Sequence, residues 1–221
     1  MPGAGLERAT ARSSAECSPR LSYPGIPQIQ IVRNLSLSFQ NIGINKMIEK
    51  FFQKVLELKD IPRQGWKEKL EIINPESVAE HSYSTAVISM ILSDLEGLNT
   101  EKIIKMALLH DLAESIIGDI IPDNMAKNKK VRKENIAMKQ ILKNLPDKIA
   151  EPYFEIWNEY QKNSSQESRL LHDIDKLEMA FQAKFYQNKG ISKEKLQTFF
   201  NTAKKEIKSK NLRNILSNFM E

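Results

Sequence analysis

The stretch Ala107-Leu-Leu-His-Asp-Leu-Ala-Glu114 decides the fold, because it sets three ionisable side chains inside an apolar helical pattern. The pattern belongs to a helix that we predict over residues 100–117. Residues three or four apart share one face of a helix, so Glu114 lies on the same surface as His110 and Asp111. Burial of such groups is unfavourable unless they pair with one another or bind a metal ion. The stretch therefore predicts either a polar cluster satisfied within the core or a functional site.

The hydrophobic pattern is helical almost throughout residues 46–221, and no convincing alternation of period two indicates a strand. Ser77-x-x-Glu80 forms a capping box at the start of one helix, and Gly97 and Gly118 follow helices as stop signals. Residues 62–65 are predicted as a break in the chain. The predicted helices cover residues 46–59, 77–95, 100–117, 123–145, 146–160, 164–187 and 192–208. We predict an all-α fold, a single bundle of six or seven helices.

The composition excludes several classes of protein. The 221 residues, 41% hydrophobic and 28% charged, are typical of a globular chain of one large or two small domains. No apolar run approaches the roughly 20 residues that span a bilayer, which excludes a transmembrane role. One cysteine, Cys17, excludes a disulfide framework and a cysteine zinc site and, without a secretory signal, predicts a cytoplasmic location. The eight glycines form no phosphate-binding loop, which excludes the commonest nucleotide-binding folds.

The kind of basic residue changes near Asn45. Residues 1–45 contain four Arg and no Lys, whereas residues 46–221 contain 25 Lys and four Arg. The first segment also holds four of the nine Pro and four of the eight Gly. Two interpretations stay open: residues 1–45 are a disordered N-terminal tail, or they are not native coding sequence and Met47 is the true start. In both, residues 46–221 form the folded domain.

Two further residues extend the candidate site. His81 lies near the start of the helix predicted over residues 77–95, and Asp175 neighbours the apolar positions of a later helix. Taken alone, His81 is more typical of a core histidine than of a metal ligand, and Asp175 is more typical of a surface charge. His172 and Asp173 are expected to face outward.

Together these residues follow the order His81, His110-Asp111, Asp175, with spacings of 29 and 64 residues. The flanking motifs are Arg63-Gln-Gly-Trp66, Pro75-Glu-Ser-Val-Ala-Glu-His81, Leu109-His-Asp-Leu-Ala-Glu114, Gly118-Asp-Ile-Ile-Pro122 and Asp175-Lys-Leu-Glu-Met179. This ordered series resembles the HD-domain metal-dependent phosphohydrolases over about residues 47–205, and within them the 5′-deoxynucleotidases.

The resemblance implies an HD-type helical domain with one divalent metal ion, which the sequence does not identify among Mn, Co, Mg, Fe, Ni and Zn. The implied metal ligands are His81, His110, Asp111 and Asp175. Glu114 matches the family's catalytic acidic residue, which orients a water molecule or handles its proton. Asp119 matches a second catalytic-site acidic residue, which meets the sugar 3′-hydroxyl and rejects ribose.

Two further matches imply substrate contacts. Arg63 matches a phosphate-contacting arginine, for which bidentate geometry suits better than lysine. Trp66 matches a wall of the nucleoside pocket. A purely structural interpretation also stays open for two of these residues. Trp66 is then a core anchor, and Asp119 is a turn or helix-cap residue.

The resemblance implies a metal-dependent 5′-deoxynucleotidase that hydrolyses deoxynucleoside 5′-monophosphates, and a homodimer. One alternative is another HD phosphohydrolase, acting on a nucleoside triphosphate, a cyclic phosphodiester or another phosphomonoester. Another is a nucleic-acid-binding module with a vestigial metal site, which the net charge of +5 and the eight basic residues of residues 127–148 favour. That segment lacks interleaved aromatic residues, so we interpret it as a solvated helix face with Lys127 and Lys130 at the rim of the cleft.

Overall fold

The computed structural model describes residues 42–121 and 124–220, and these form helices joined by short connections. Within these ranges the only β-type pairing is an isolated bridge between Pro62 and Ser77, so the all-α prediction is confirmed. The helices are α1 (Ile42–Glu57), α2 (Gln64–Leu70), α3 (Val78–Glu96), α4 (Thr100–Leu109), α5 (Glu114–Ile117), α6 (Lys127–Leu142), α7 (Asp147–Lys162), α8 (Gln166–Asn188), α9 (Lys193–Glu206) and α10 (Lys210–Met220). A 3₁₀ turn, Leu58–Asp60, follows α1.

Three of these helices were not predicted as separate elements. Helix α2 forms where a break was predicted, beginning directly after Arg63. The helix predicted over residues 100–117 ends at Leu109 and resumes as α5 at Glu114. The chain also turns out of α9 at Ile207, which is extended, before α10 begins. The number of helices therefore exceeds the predicted six or seven.

The break between α4 and α5 consists of tight turns. The amide of Leu112 donates to the carbonyl of Leu109 at 3.1 Å, and the amide of Glu114 donates to that of Asp111 at 2.9 Å. These hydrogen bonds join residues i and i+3, as in a 3₁₀-helix, and wind the backbone more tightly than an α-helix does. His110 and Asp111 consequently lie in a turn at the end of α4 rather than inside a continuous helix.

The predicted capping box fixes the start of α3. The Ser77 hydroxyl accepts from the amide of Glu80 at 3.2 Å, and the Ser77 amide donates to the Glu80 carboxylate at 2.7 Å. The next helix, which was predicted to begin at residue 100, is capped by Asn99, whose side chain accepts from the amide of Lys102.

The core has two apolar clusters. One is centred on α8, α9 and α4 and contains Leu171, Ile174, Leu177, Phe200 and Met106 among others. The other joins α6 and α7 to the end of α4, through residues such as Leu112, Met138, Ile141 and Trp157. Polar side chains from α3, α4 and α8 meet among these helices, and this is where the sequence placed the site.

The N-terminal prediction falls mainly on residues 1–41, which lie outside the described residues. Residues 42–45, which the sequence assigned to the tail, form the start of α1. In the described part of the chain, no helix combines the length and the apolar character that crossing a membrane requires.

Candidate metal centre

Four side chains that are far apart in sequence converge on one point. His81 comes from α3, His110 and Asp111 from the turn after α4, and Asp175 from α8. The Nε2 atom of His81 lies 3.1 Å from Asp175 Oδ1 and 3.7 Å from Asp111 Oδ2. The Nε2 atom of His110 lies 3.2 Å from Asp111 Oδ2. Donor atoms of His81, His110 and Asp175 all lie within 4.8 Å of one another.

The two imidazole rings are each held through Nδ1. His110 Nδ1 lies 2.6 Å from the carbonyl oxygen of Ala107, and His81 Nδ1 lies 2.6 Å from Glu178 Oε2. A carbonyl oxygen only accepts, so Nδ1 of His110 donates this hydrogen bond, and Nε2 is the ring nitrogen that faces the carboxylates. Both Nε2 atoms are buried and have no hydrogen bond. Buried polar atoms seldom lack a partner, and a metal ion supplies one for both.

The charges around the rings favour a cation. Burial and the guanidinium of Arg63 each lower the pKa of His81, but Glu178 and Asp175 outweigh them and raise it to about 10. Without a metal ion the ring therefore carries an extra proton, and a cation bound at Nε2 would displace it. Despite its burial, the ammonium group of Lys176 and the ring of His81 hold the pKa of Asp175 well below its usual range. The carboxylates are thus ionised, as metal ligands must be. Two imidazole nitrogens and two carboxylates fit a divalent cation.

Arg63 lies beside this cluster, with Nη1 3.4 Å from Asp111 Oδ2. Burial alone would lower the pKa of Arg63, but the carboxylates of Asp111, Asp119 and Glu114 hold it above its usual value. The backbone of Arg63 precedes α2 and accepts from the amide of Trp66. The arginine therefore keeps its charge in a site dominated by acidic groups.

Glu114 is the first residue of α5 and is only 2% exposed. Its Oε1 lies 3.6 Å from the ammonium nitrogen of Lys130, whereas its Oε2 is buried without a hydrogen bond. Burial, followed by the neighbouring carboxylates of Asp111 and Asp119, holds the pKa of Glu114 well above its usual range. A carboxyl group in this position holds a proton more strongly than an exposed glutamate and is a stronger base once it is ionised.

Asp119 follows Gly118, whose positive φ of 74° suits glycine. Its Oδ2 accepts a hydrogen bond from the backbone amide of Gln64 at 2.7 Å. Gln64 is the first residue of α2, so Asp119 caps that helix from a distant segment. The cap interpretation of Asp119 is thus correct, and it holds the carboxylate in a fixed position at the cavity.

Trp66 is a core residue of α2, only 2% exposed. Its ring stacks on Phe199 at a centroid distance of 4.1 Å, and its Nε1 donates to Glu76 Oε1 at 2.7 Å. Both rings line the cavity, and the burial of Trp66 agrees with the core-anchor interpretation.

A cavity of about 420 Å³ joins these residues, a size typical of small-molecule sites. Its walls include all the predicted site residues apart from His81: Arg63, Trp66, His110, Asp111, Glu114, Asp119 and Asp175. Lys127 and Lys130 of α6 also line it, as predicted for the rim. Lys130 further donates to the carbonyl of Ile120, beside Asp119, at 3.1 Å.

For three residues near the site, the sequence predicted either the wrong location or no role. Asp173 is buried rather than outward-facing, because its carboxylate accepts from the amides of Lys208 and Ser209 at the start of α10. His172 is half-buried, with its ring stacked on Tyr160 at 4.2 Å. Glu178 was assigned no role, although its position three residues after Asp175 on one helix is a usable signal.

The fold and the site define a class: a helical domain built around a candidate centre of two histidines and two aspartates. A model of the HD domain family matches residues 55–215, and the chain belongs to this family. It is 38% identical to human "5'-deoxynucleotidase HDDC2" over 168 residues, which are 76% of this chain and 81% of that protein. It is 37% identical to "5'-deoxynucleotidase hdd1" of Schizosaccharomyces pombe, covering 72% of this chain and 82% of the relative.

The chain is also similar to a solved structure. The crystal structure of protein PH0347 from Pyrococcus horikoshii OT3 is similar, with a TM-score of 0.64 and 36% sequence identity. That match covers 78% of this chain and 95% of the archaeal chain. The expected HD-type fold is thereby confirmed.

Proposed function

We propose that the protein is a metal-dependent 5′-deoxynucleotidase, which hydrolyses deoxynucleoside 5′-monophosphates to deoxynucleosides and phosphate. The observation that carries the proposal is the pair of buried Nε2 atoms without hydrogen bonds, facing two carboxylates beside the cavity. The names of the relatives, among them the human and fission-yeast proteins, support the choice of substrate.

The proposed metal ligands are His81, His110, Asp111 and Asp175. A divalent cation bound there polarises a phosphoryl group and lowers the pKa of a water molecule, so that a nucleophile forms near neutral pH. This donor set accepts Mn²⁺, Co²⁺, Fe²⁺, Ni²⁺, Zn²⁺ or Mg²⁺, and cellular availability contributes to the choice.

Arg63 is proposed to bind the phosphate. Its guanidinium stays charged beside the cluster and can offer two parallel N–H donors to phosphate oxygens. Lys127 and Lys130 add positive charge to the same cavity and attract an anionic substrate toward it.

Glu114 is proposed as the group that takes the proton of the attacking water. Its Oε2 has no other partner and is shielded from solvent. Its pKa, raised by burial and by nearby carboxylates, makes it a stronger base than an exposed glutamate. The nearby ammonium of Lys130 stabilises the ionised form before the proton arrives.

Asp119 is proposed to select the sugar. The amide of Gln64 fixes one carboxylate oxygen, so that the other can accept a hydrogen bond from the sugar 3′-hydroxyl. A carboxylate held this rigidly leaves little room for a 2′-hydroxyl. Trp66 stays a predicted wall of the nucleoside pocket, in which its buried ring supports Phe199.

A panel of substrates tests the proposal. We expect phosphate release from at least one of dAMP, dGMP, dCMP, dTMP and dUMP with Mn²⁺, Co²⁺ or Mg²⁺, and slower release from the matching ribonucleotide. Triphosphate or a ring-opened monoester as product from other substrates would indicate the alternative HD phosphohydrolase. Metal binding without cleavage of any monophosphate would contradict the deoxynucleotidase assignment.

The proposal includes a homodimer formed through α3. Between Glu80 and Asp94 this helix has no Asp, Glu, Lys or Arg, its one histidine (His81) is buried, and its exposed side chains are all apolar. They form one stripe at helical spacing: Tyr83, Val87, Met90 and Ile91. The stripe carries no charge for a partner to match, and a second copy related by a two-fold axis supplies the same apolar surface.

Light scattering during gel filtration tests the dimer. We expect Ile91→Asp to convert a dimer to a monomer. Ile136→Asp, which changes an exposed isoleucine of α6, is the matched control and should stay dimeric. A monomeric wild-type protein would contradict this part of the proposal and leave the proposed activity intact. A cytoplasmic location stays a prediction of the sequence.

A further inference from the structure

We infer that Glu178 is a positioning residue that holds the imidazole of His81 and thereby sets the affinity of the centre for its divalent cation. The inference rests on the metal centre proposed above. It adds a residue that touches neither substrate nor cation and acts through a ligand.

Glu178 is placed to hold the imidazole ring of His81 through a hydrogen bond. It is 3% exposed, and its Oε2 lies 2.6 Å from His81 Nδ1. It lies three residues after Asp175, so α8 presents a proposed ligand and the support of a second ligand on the same face. The position of His81 relative to Asp175 is therefore fixed by one rigid helix.

The neighbouring carboxylate of Glu76 has a different partner. Its Oε1 accepts the hydrogen bond from Trp66 Nε1 at 2.7 Å. Glu178 is consequently the carboxylate that bonds to the ring of His81. Glu76 serves the packing of Trp66 against Phe199.

A carboxylate group that accepts a hydrogen bond from Nδ1 has two effects on the ring. It keeps the proton on Nδ1, so that the lone pair of Nε2 faces the cation, and it makes that lone pair more basic. His110 is held by the neutral carbonyl of Ala107 instead. The carboxylate support is thus found at His81, and its removal should weaken the centre.

The experiment measures the dissociation constant for Mn²⁺ by calorimetry in the wild type, Glu178→Gln and Glu178→Leu. Loss of a support of this kind weakens metal binding about 10–100-fold. We expect that loss in Glu178→Leu and a smaller one, of several-fold, in Glu178→Gln, whose amide oxygen still accepts from Nδ1. The visible spectrum of the Co²⁺ form should change in both variants, because the ligand field at His81 changes.

Asp173→Asn is the matched control. Asp173 is another buried carboxylate of α8, but it accepts from the backbone amides of Lys208 and Ser209, away from the cluster. Its loss should lower thermal stability and leave the Mn²⁺ constant and the Co²⁺ spectrum unchanged. A general loss of packing would affect the control and Glu178→Leu alike.

Two results would overturn the inference while leaving the proposed activity in place. One is a folded Glu178→Leu or Glu178→Gln protein that binds Mn²⁺ as tightly as the wild type. The other is an equal weakening in Asp173→Asn. If Glu178→Leu does not fold, an unchanged constant in Glu178→Gln is sufficient to reject it. A wild type that binds no divalent cation would reject the metal centre and the inference together.

Discussion

Replacement of Glu114 by glutamine tests the proposed chemistry most specifically. The substitution keeps the shape of the side chain but removes its ability to accept a proton. Glu114 Oε2 is buried without a hydrogen bond, and the residue is 2% exposed, so bulk water does not readily replace it as a base. We expect the turnover number to fall while binding of the metal ion stays the same.

The size of the effect follows from the lack of a substitute base. Among the described residues that line the cavity, Glu114 is the acidic side chain with a buried carboxylate oxygen that has no hydrogen bond. Asp119 accepts from Gln64, and Glu134 and Glu206 face lysine ammonium groups. A positioned acid or base contributes about 10²–10⁴-fold to the rate. We therefore expect the upper part of that range, about 10³–10⁴-fold, or about 4–5.5 kcal/mol of transition-state stabilisation.

The assay is phosphate release from the best deoxynucleoside monophosphate at saturating metal, paired with calorimetric measurement of Mn²⁺ affinity. Glu167→Gln, which changes an acidic residue of α8 paired with Lys102 outside the site, is the control and should keep wild-type turnover. Less than a tenfold loss in Glu114→Gln would refute the assignment of Glu114 as the base. Loss of the metal ion as well would make Glu114 part of the metal centre instead.

The same variant has a predicted effect on stability. Burial and neighbouring carboxylates raise the pKa of Glu114 in the folded protein, so folding takes up a proton at this residue. Its contribution is most favourable below the unfolded pKa of about 4.3 and becomes less favourable as the pH rises toward the folded value. With metal removed by chelator, Glu114→Gln should be more stable than the wild type at pH 8 and similar to it near pH 4. Equal thermal denaturation curves at pH 8 would contradict this reasoning.

The remaining predictions concern the substrate and the metal. Asp119→Ala should lower the preference for a deoxynucleotide over the matching ribonucleotide at least about tenfold, measured as the ratio of kcat/KM values, because a fixed hydrogen-bond acceptor discriminates by such factors. An unchanged ratio would remove Asp119 from sugar selection. Arg63→Lys should lower kcat/KM about 10–100-fold, which corresponds to one charge-assisted hydrogen bond, and leave Mn²⁺ affinity within about twofold. Wild-type kcat/KM in this variant would show that bidentate contact is not used.

Much of the fold could be predicted because its signals are local. Helical periodicity and the Ser77 capping box depend on residues within a few positions of one another, and both are confirmed. The break between Leu109 and Glu114 had no such signal, because every residue there is compatible with a helix. It arises where the chain must turn His110 toward partners from α3 and α8, which only the packed molecule specifies.

The site residues also divide into those that the sequence motifs indicate and those that only the packed molecule reveals. His81, His110, Asp111 and Asp175 were assigned from the resemblance of their ordered motifs to the HD-domain family, and the structure brings them together. The role of Asp173 depends on amides 35 residues further along the chain, so no local pattern reveals it.

The cap that Asp119 provides joins it to Gln64 across 55 residues of chain. The support from Glu178 becomes visible only once the inward face of α8 is known.

The most direct test of the central claim is a metal count. Elemental analysis after exposure to Mn²⁺ and removal of free ion should give one equivalent per chain for the wild type. Asp111→Ala should bind essentially none and lose phosphate release with it, because its carboxylate lies 3.2 Å from His110 Nε2 and 3.7 Å from His81 Nε2. Full turnover in Asp111→Ala, or a wild type that hydrolyses deoxynucleotides in excess chelator, would contradict a metal centre at these residues.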